Sequence, residues 1–257
     1  MTLEMIILLI VSGIVVGFIN TLAGGGAIMS MTVFMALGLP IGVANGTNRI
    51  AVVLQNLTSS AVFIKKRMLD IRSGLKLSVP AIIGNIAGSM VATQINETVF
   101  KICMGVVLFA ILAYMLFAKT HILGGHGLEL KWWHYQWFLL IGFYGGYVYI
   151  GLGYLILAIT LTTMHLDIIT ANVVKSFVIF VATPFSLIIF MLHGQVDYGV
   201  GLLHAFGNII GTYIASHYGI HWGTKFLQYF MIAVVMVSIA DLFGLISLHE
   251  ICVNLIN

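Results

Sequence analysis

The sequence predicts an all-α polytopic membrane protein of about eight transmembrane helices, or up to ten if two glycine-broken elements each count as two, arranged in two internal repeats. Three observations predict it. The 257 residues are 61% hydrophobic and only 7% charged, with a mean hydropathy of +1.11. A soluble domain carries roughly a quarter charged residues, so a surface this poor in charge needs lipid as its solvent. Apolar runs of span length follow one another along the whole chain, and the two halves resemble each other at an offset of about 127 residues. The formal net charge of +3 is modest and gives no basic patch for nucleic acid.

The apolar runs fall at about 3–20, 27–39, 44–64, 74–94, 98–118, 133–163, 168–192, 198–218 and 223–247. Met1-Thr2-Leu3-Glu4 has neither the basic start nor the small-residue cleavage site of a secretory signal, so the first run is expected to be retained as a helix. Residues 3–39 are too long for one span and are interrupted by Ala23-Gly24-Gly25-Gly26. Consecutive glycines hold a helix poorly, each being about 1 kcal/mol worse than Ala. Residues 133–163 are likewise too long and contain Gly145-Gly146 and Gly151-Leu152-Gly153. Each is either one broken, re-entrant element or two short spans.

The only polar connections of any length are 65–73, with Lys65, Lys66, Arg67, Asp70 and Arg72, and 119–132, with Lys119, His121, His126, Glu129 and Lys131. Both lie on one face however the breaks are counted, and their positive charge makes that face cytoplasmic. Eight spans with the N-terminus inside is the reading taken; ten short spans would place it outside. The chain divides into a first repeat, 1–118, a cytoplasmic linker, 119–132, and a second repeat, 133–257. Cys103 and Cys252 lie far apart in apolar surroundings, which excludes a disulfide framework.

The repeat rests on several matches in one order. Gly24-x-Gly26 answers Gly151-x-Gly153, Ala44-Asn45 answers Ala171-Asn172, and Asp70-Ile71-x-x-Gly74-Leu75 answers Asp197-Tyr198-x-x-Gly201-Leu202. After a four-residue shift, Gly84-Asn85-Ile86-Ala87-Gly88-Ser89 answers Gly207-Asn208-Ile209-Ile210-Gly211-Thr212. Internal repeats with helices broken at matching positions mark secondary transporters, whose site lies near the midplane. Backbone freed by a break survives at membrane depth only where it lines protein or a water cavity.

Two cations stand inside the spans. Arg49 follows Asn45-Gly46-Thr47-Asn48, and Lys175 lies well within 168–192; they are one residue apart on the repeat offset. A cation at the bilayer centre costs about 2.5–3.5 kcal/mol or more unless compensated. Almost no acidic partner stands at that depth; Asp241, the exception, is near a span end. Paired cations without counter-ions point to an anionic substrate. The alternative has Arg49 snorkelling to the interface and Lys175 capped by carbonyls. Asn20, Asn45, Thr47, Asn48, Gln55 and Asn56 cluster nearby, with Asn172 answering Asn45. Amide donors and helix N-termini hold an oxyanion without a fixed charge, though Gln55 and Asn56 equally suit hydrogen bonding between helices. Gly84-x3-Gly88 and Gly207-x3-Gly211 have the small-residue spacing of close helix packing, and Asn85 and Asn208 within them are either interhelical glue or part of the site.

Of nine histidines, His204 alone is read inside a span, where it either carries a proton in coupled transport or packs as a hydrogen-bonded residue. Tyr144, Tyr147, Tyr149 and Tyr154 crowd the second break, lining a pore or an interface. No metal-ligand spacing, phosphate-binding loop, nucleophile elbow or dinucleotide fingerprint is present. No cofactor, metal or nucleic-acid partner is therefore expected, nor is an enzyme.

The run Gly17-Phe18-Ile19-Asn20-Thr21-Leu22-Ala23-Gly24-Gly25-Gly26, followed by Leu39-Pro40-Ile41-Gly42-Val43-Ala44-Asn45-Gly46-Thr47-Asn48, resembles the TauE/SafE sulfite exporter family, often called TSUP, over essentially the full chain. The second half departs from the pattern, with Tyr149-Ile150-Gly151-Leu152-Gly153 in place of a glycine run and no proline matching Pro40. The resemblance implies a carrier of sulfite, sulfoacetate or other organosulfonates, moved with or against protons, with Gly24, Gly25, Gly26, Asn45, Thr47 and Asn48 as its motif. The expected function is secondary transport of a small anion by alternating access, with Arg49, Lys175 and Asn172 completing the site and His204 available for proton coupling. The expected setting is a bacterial or archaeal inner membrane, with lipid and the anionic substrate as partners and homo-oligomerisation left open. The rival readings are an anion channel and a membrane-embedded enzyme or assembly factor.

Overall fold

A computed structural model describes residues 1–94 and 130–219 continuously, together with 96, 98–100, 102, 103, 105–107, 109, 110, 226, 229, 230, 233, 236 and 240. Asp241, Cys252, residues 119–129 of the predicted linker and much of the runs 98–118 and 223–247 lie outside the described residues. The chain is helical, with no strand among the described residues. The helices placed are α1 (Leu3–Leu22), α2 (Ala27–Ala36), α3 (Ile41–Lys65), α4 (Ile71–Ala92), α5 (Trp132–Tyr147), α6 (Leu152–Thr163), α7 (Ile168–Leu192) and α8 (Tyr198–Tyr218). Cys103 is a free, half-buried thiol.

Short polar caps set the helix starts. The Asp70, Asp167 and Asp197 side chains accept backbone N–H groups of the first turns of α4, α7 and α8, which answers donors that a helix start leaves open. Gly38, at φ +88°, ends α2 ahead of Pro40. The long α3 and α7 have 25 residues each, roughly 37 Å at 1.5 Å per residue. By contrast α2 and α6 have only 10 and 12, about 15–18 Å, too short to cross a bilayer.

Both glycine breaks are sharp reversals. Gly24 (φ +92°) lies between α1 and α2, and Tyr149 (φ +69°) and Gly151 (φ +78°) lie between α5 and α6. The chain folds back after each. Gly26 lies against Val16 and Asn20 of α1, and further along α2 Ser30 reaches His204, which also contacts Ser12 and Leu9. At the second break, His134 at the start of α5 meets the Thr163 carbonyl at the end of α6, 3.4 Å away. Each long-plus-short pair is thus an antiparallel hairpin.

The hairpins pack against helices from the opposite half of the chain. A methyl on Gly207 or Gly211 would overlap the carbonyls of Ile10 or Ile14, and one on Gly13 or Gly17 the carbonyls of His204 or Asn208, so α1 and α8 run parallel in close contact. In the same way Gly84 and Gly88 meet Leu139 and Phe143, while Gly142 and Gly146 meet Ala81 and Asn85, joining α4 to α5. The small-residue spacings serve close packing.

Polarity is inverted relative to a soluble protein. Outer faces carry exposed Ile7, Val11, Val79, Ile83, Leu202 and Phe206, while Asn20, Asn45, Asn48, Gln55, Asn56, Asn172 and Asn208 are buried. That arrangement places hydrocarbon against lipid and polar groups where protein can satisfy them.

Candidate functional site

The two hairpin tips meet. A methyl on Gly24 would lie 2.8 Å from the Gly153 Cα, and one on Gly153 would lie 2.6 Å from the Gly24 Cα. Only backbone without side chains fits at that crossing. Beside it, Gly25 faces the Tyr154 ring and hydroxyl, and Gly26 faces the Asn20 amide. Gly24, Gly25 and Gly26 therefore all sit at the junction of the two breaks, and the short helices α2 and α6 both start there.

Lys175 and Arg49 lie at these same tips, each held by backbone from the other half of the chain. The Lys175 ammonium, 1% exposed, donates to the Asn20 and Thr21 carbonyls at 3.1 Å each and to Asn172 Oδ1 at 2.5 Å. Those carbonyls belong to the last turn of α1, which has no intrahelical partner for them and carries the negative end of the helix dipole. Arg49, fully buried, donates to the Gly145 and Gly146 carbonyls at 2.6 and 3.0 Å and to Asn45 Oδ1 at 3.0 Å, and so treats the end of α5 likewise. The Tyr149 and Phe190 rings lie 4.9 and 5.3 Å from its guanidinium. Arg49 therefore does not snorkel, and both cations are capped by carbonyls. None of these hydrogen-bond partners carries a formal charge, so the two basic side chains stand at the tips without a counter-ion in contact among the described residues.

Asn45 and Asn172 occupy matching places. Asn45 passes its amide on to the Tyr147 carbonyl at 3.1 Å, and Asn172 bonds back to Ile168 at 2.9 Å. Asn48 is buried and its Nδ2 has no partner among the described residues. Thr47 goes elsewhere: its hydroxyl accepts the Asp197 N–H at 2.8 Å, at the start of α8. Asn20 ties α1 to α3 through Gln55 at 3.2 Å, whereas Asn56 bonds within its own helix.

His204 is fully buried. Nε2 lies 2.9 Å from the Ser30 hydroxyl, and Nδ1 lies 3.1 Å from the Leu9 carbonyl. A hydrogen on Nδ1 satisfies Leu9 and leaves Nε2 to accept from Ser30, which fixes one neutral tautomer. This ring bridges both arms of the first hairpin. Sequence reasoning missed Ser12 and Ser30, which have no local pattern, and His134, which is also buried. It met Tyr149 and Tyr154 only as members of an aromatic cluster.

A narrow cleft, with roughly 20 Å³ of room, reaches Thr21 and Asn172 beside Lys175; Leu22, Phe63, Ala215 and Ser216 also line it. Lys66 stands at this side, donating to the Ser216 and His217 carbonyls at 3.4 and 2.9 Å. Near the start of α3, Gln195 lies beside Gly42 and Gly46 and donates to the Thr93 carbonyl at 2.9 Å.

The family model described as "Sulfite exporter TauE/SafE" matches residues 9–242. A "Probable membrane transporter protein" of Haemophilus influenzae is 25% identical over 218 residues, covering 83% of this chain and 85% of that one. Another so named, ORF9 of Sinorhizobium sp, is 25% identical over 236 residues, covering 90% and 88%. The Escherichia coli K12 protein of that description, YfcA, is 23% identical over 233 residues, covering 88% and 85%. No solved structure matches significantly. The chain belongs to the sulfite exporter TauE/SafE family and is an integral membrane protein of the bacterial cell membrane, in a family of membrane transporters.

Proposed function

We propose that this TauE/SafE member is a secondary transporter that carries a small sulfur oxyanion, sulfite or an organosulfonate, between its two hairpin tips. The observation that carries the reading is the pair Lys175 and Arg49: two fully buried cations at the tips whose hydrogen-bond partners are all neutral. The Lys175 donors are taken up by neutral oxygens, so this side chain acts on the substrate as a field, whereas the buried Arg49 Nε has no partner among the described residues and is left free to donate. At low local dielectric a charge a few ångströms away remains a strong attraction. Direct contacts fall to neutral donors at the tips, to Asn48 Nδ2 and to Arg49 Nε. Transport rather than catalysis is supported by the relatives, which are named as membrane transporters.

A two-fold repeat of inverted topology suits these contacts. Helix order, hairpin–helix pairing and the exchanged capping of α1 by Lys175 and of α5 by Arg49 all support it. Each half then supplies one re-entrant hairpin and two long crossing helices, α3 and α4 in the first half and α7 and α8 in the second. Because such a hairpin enters and leaves by one face, the N-terminus lies opposite the basic 65–73 connection, on the non-cytoplasmic side. That departs from an eight-span count with the N-terminus inside. The cleft at Lys66 then opens to the cytoplasm, and the opposite side is closed at Gln195. Rocking one half against the other exchanges these two states.

Proton coupling is assigned to His204. A second proton turns Nε2 from acceptor to donor, so Ser30 must reorient and the two arms of the first hairpin are re-bonded. Thermal-shift measurement of the purified chain against sulfite, sulfoacetate, an aromatic sulfonate and sulfate tests the substrate class. Only a ligand that prefers the folded form raises the midpoint, by RT ln(1 + [L]/Kd) in free energy. A rise with sulfite or a sulfonate is expected; no rise with any sulfur oxyanion, alongside a rise with a cation or neutral solute, contradicts the reading.

A further inference from the structure

The start of α2 is left open in a way that the other site features do not explain. α2 has no side-chain cap, and the backbone N–H groups of Gly25, Gly26, Ala27 and Ile28 have no hydrogen-bond partner among the described residues. A helix N-terminus with free N–H groups is common, and by itself it identifies nothing. The second observation is Tyr154. This side chain is 2% exposed, its hydroxyl has no partner among the described residues, and a methyl on Gly25 would overlap that hydroxyl. A buried phenol without a hydrogen bond is unusual, because such groups are normally satisfied when taken out of water. Here it stands at the first residues of α2, delivered by the tip of the other hairpin.

We infer that the Tyr154 hydroxyl and the N–H groups opening α2 form the oxyanion-holding face of the transport site, with Tyr154 the residue that selects the substrate. This rests on the reading of the tips as the transport site. The unpartnered groups gathered there are donors, four amides and a phenol, and none carries a formal charge. Their ligand is therefore an anion with several acceptor oxygens on one centre, as in sulfite or a sulfonate, and a halide leaves most of the directional donors unused. The repeat places Ala27 where the second half has Tyr154, so only one hairpin contributes a hydroxyl. Recognition is asymmetric even though the backbone is paired.

Two variants of the full chain, reconstituted in proteoliposomes and assayed with labelled sulfite, test this. Tyr154→Phe removes the hydroxyl alone. It should leave the ligand-free unfolding midpoint unchanged or higher, since no internal bond is lost, raise KM at least tenfold, and change kcat by less than about threefold. It should also narrow the preference for sulfite over chloride. Ala27→Pro deletes one N–H at the first helical position, where proline is favoured, and should raise KM as well. If Tyr154→Phe keeps the wild-type KM while Ala27→Pro loses affinity, the tip site stands and the Tyr154 assignment is wrong. If both variants transport as wild type, the tip reading itself fails. A clear drop in the ligand-free midpoint for Tyr154→Phe overturns the inference too, because the hydroxyl then serves the fold.

Discussion

Lys175 directs three hydrogen bonds at oxygen atoms that bear no formal charge, and Arg49 directs three at the opposite tip. A buried cation so arranged is tolerated because helix C-termini supply partial negative charge, worth up to about 2 kcal/mol in partly buried sites. The planar fork of Arg49 spans two carbonyls and an amide, a geometry that a lysine cannot reproduce. Arg49→Lys should therefore lower the unfolding stability by about 1–3 kcal/mol, the penalty of leaving buried acceptors unsatisfied, and reduce sulfite flux; unchanged melting and flux would contradict the capping role. His204→Asn should retain downhill flux while losing the response to an imposed pH gradient, and a retained response would remove the coupling assignment. At this scale the sequence was half legible. Depth and missing carboxylates marked Arg49 and Lys175, and the repeat tied Asn45 to Asn172. Their partners lie about 100 and 155 positions away, where no local pattern reaches, and Thr47, read as part of the site, instead braces the start of α8.

The helices were legible nearly to the residue wherever an aspartate cap meets a long apolar run. α7 and α8 begin after Asp167 and Asp197 and end where hydropathy falls, and the glycines at 24 and 151 announce the breaks. What periodicity cannot report is direction after a break. That α2 and α6 turn back depends on contacts such as Ser30 with His204 and His134 with Thr163. Glycine at the crossing is required twice over, by positive φ at Gly24 and by the approach of Gly153. Gly24→Ala should stop transport and destabilise the chain by at least about 1–2 kcal/mol from left-handed backbone alone. Gly211→Ala, which drives a methyl into the Ile14 carbonyl, should cost about 1–3 kcal/mol by overpacking and leave KM near wild type. A variant at Gly211 that melts as wild type would show that α1 and α8 are not closely apposed.

Over the whole molecule, the two halves clasp each other: each hairpin packs on a helix of the other half, and each long helix caps the other half's hairpin. The family and the membrane class were readable from the glycine run and the hydropathy, because lipid imposes itself on composition. The handedness of the clasp and the side that is open were not, because they depend on which copy of a pairing the fold uses. With the Lys66 face cytoplasmic, a single cysteine at Ser216, in a chain with Cys103 and Cys252 changed to Ser, should react with an impermeant thiol reagent from the cytoplasmic side. One at Gly42, beside Gln195, should stay protected, and the opposite pattern would reverse the assigned state. Counterflow of radiolabelled sulfite in proteoliposomes, comparing wild type with Lys175→Gln, tests the central claim most directly, since glutamine can still donate to the α1 carbonyls but carries no charge. Saturable exchange is expected in the wild type, with at least a tenfold loss in the variant and its fold intact; equal exchange by a folded Lys175→Gln would rule out the role of the buried charge.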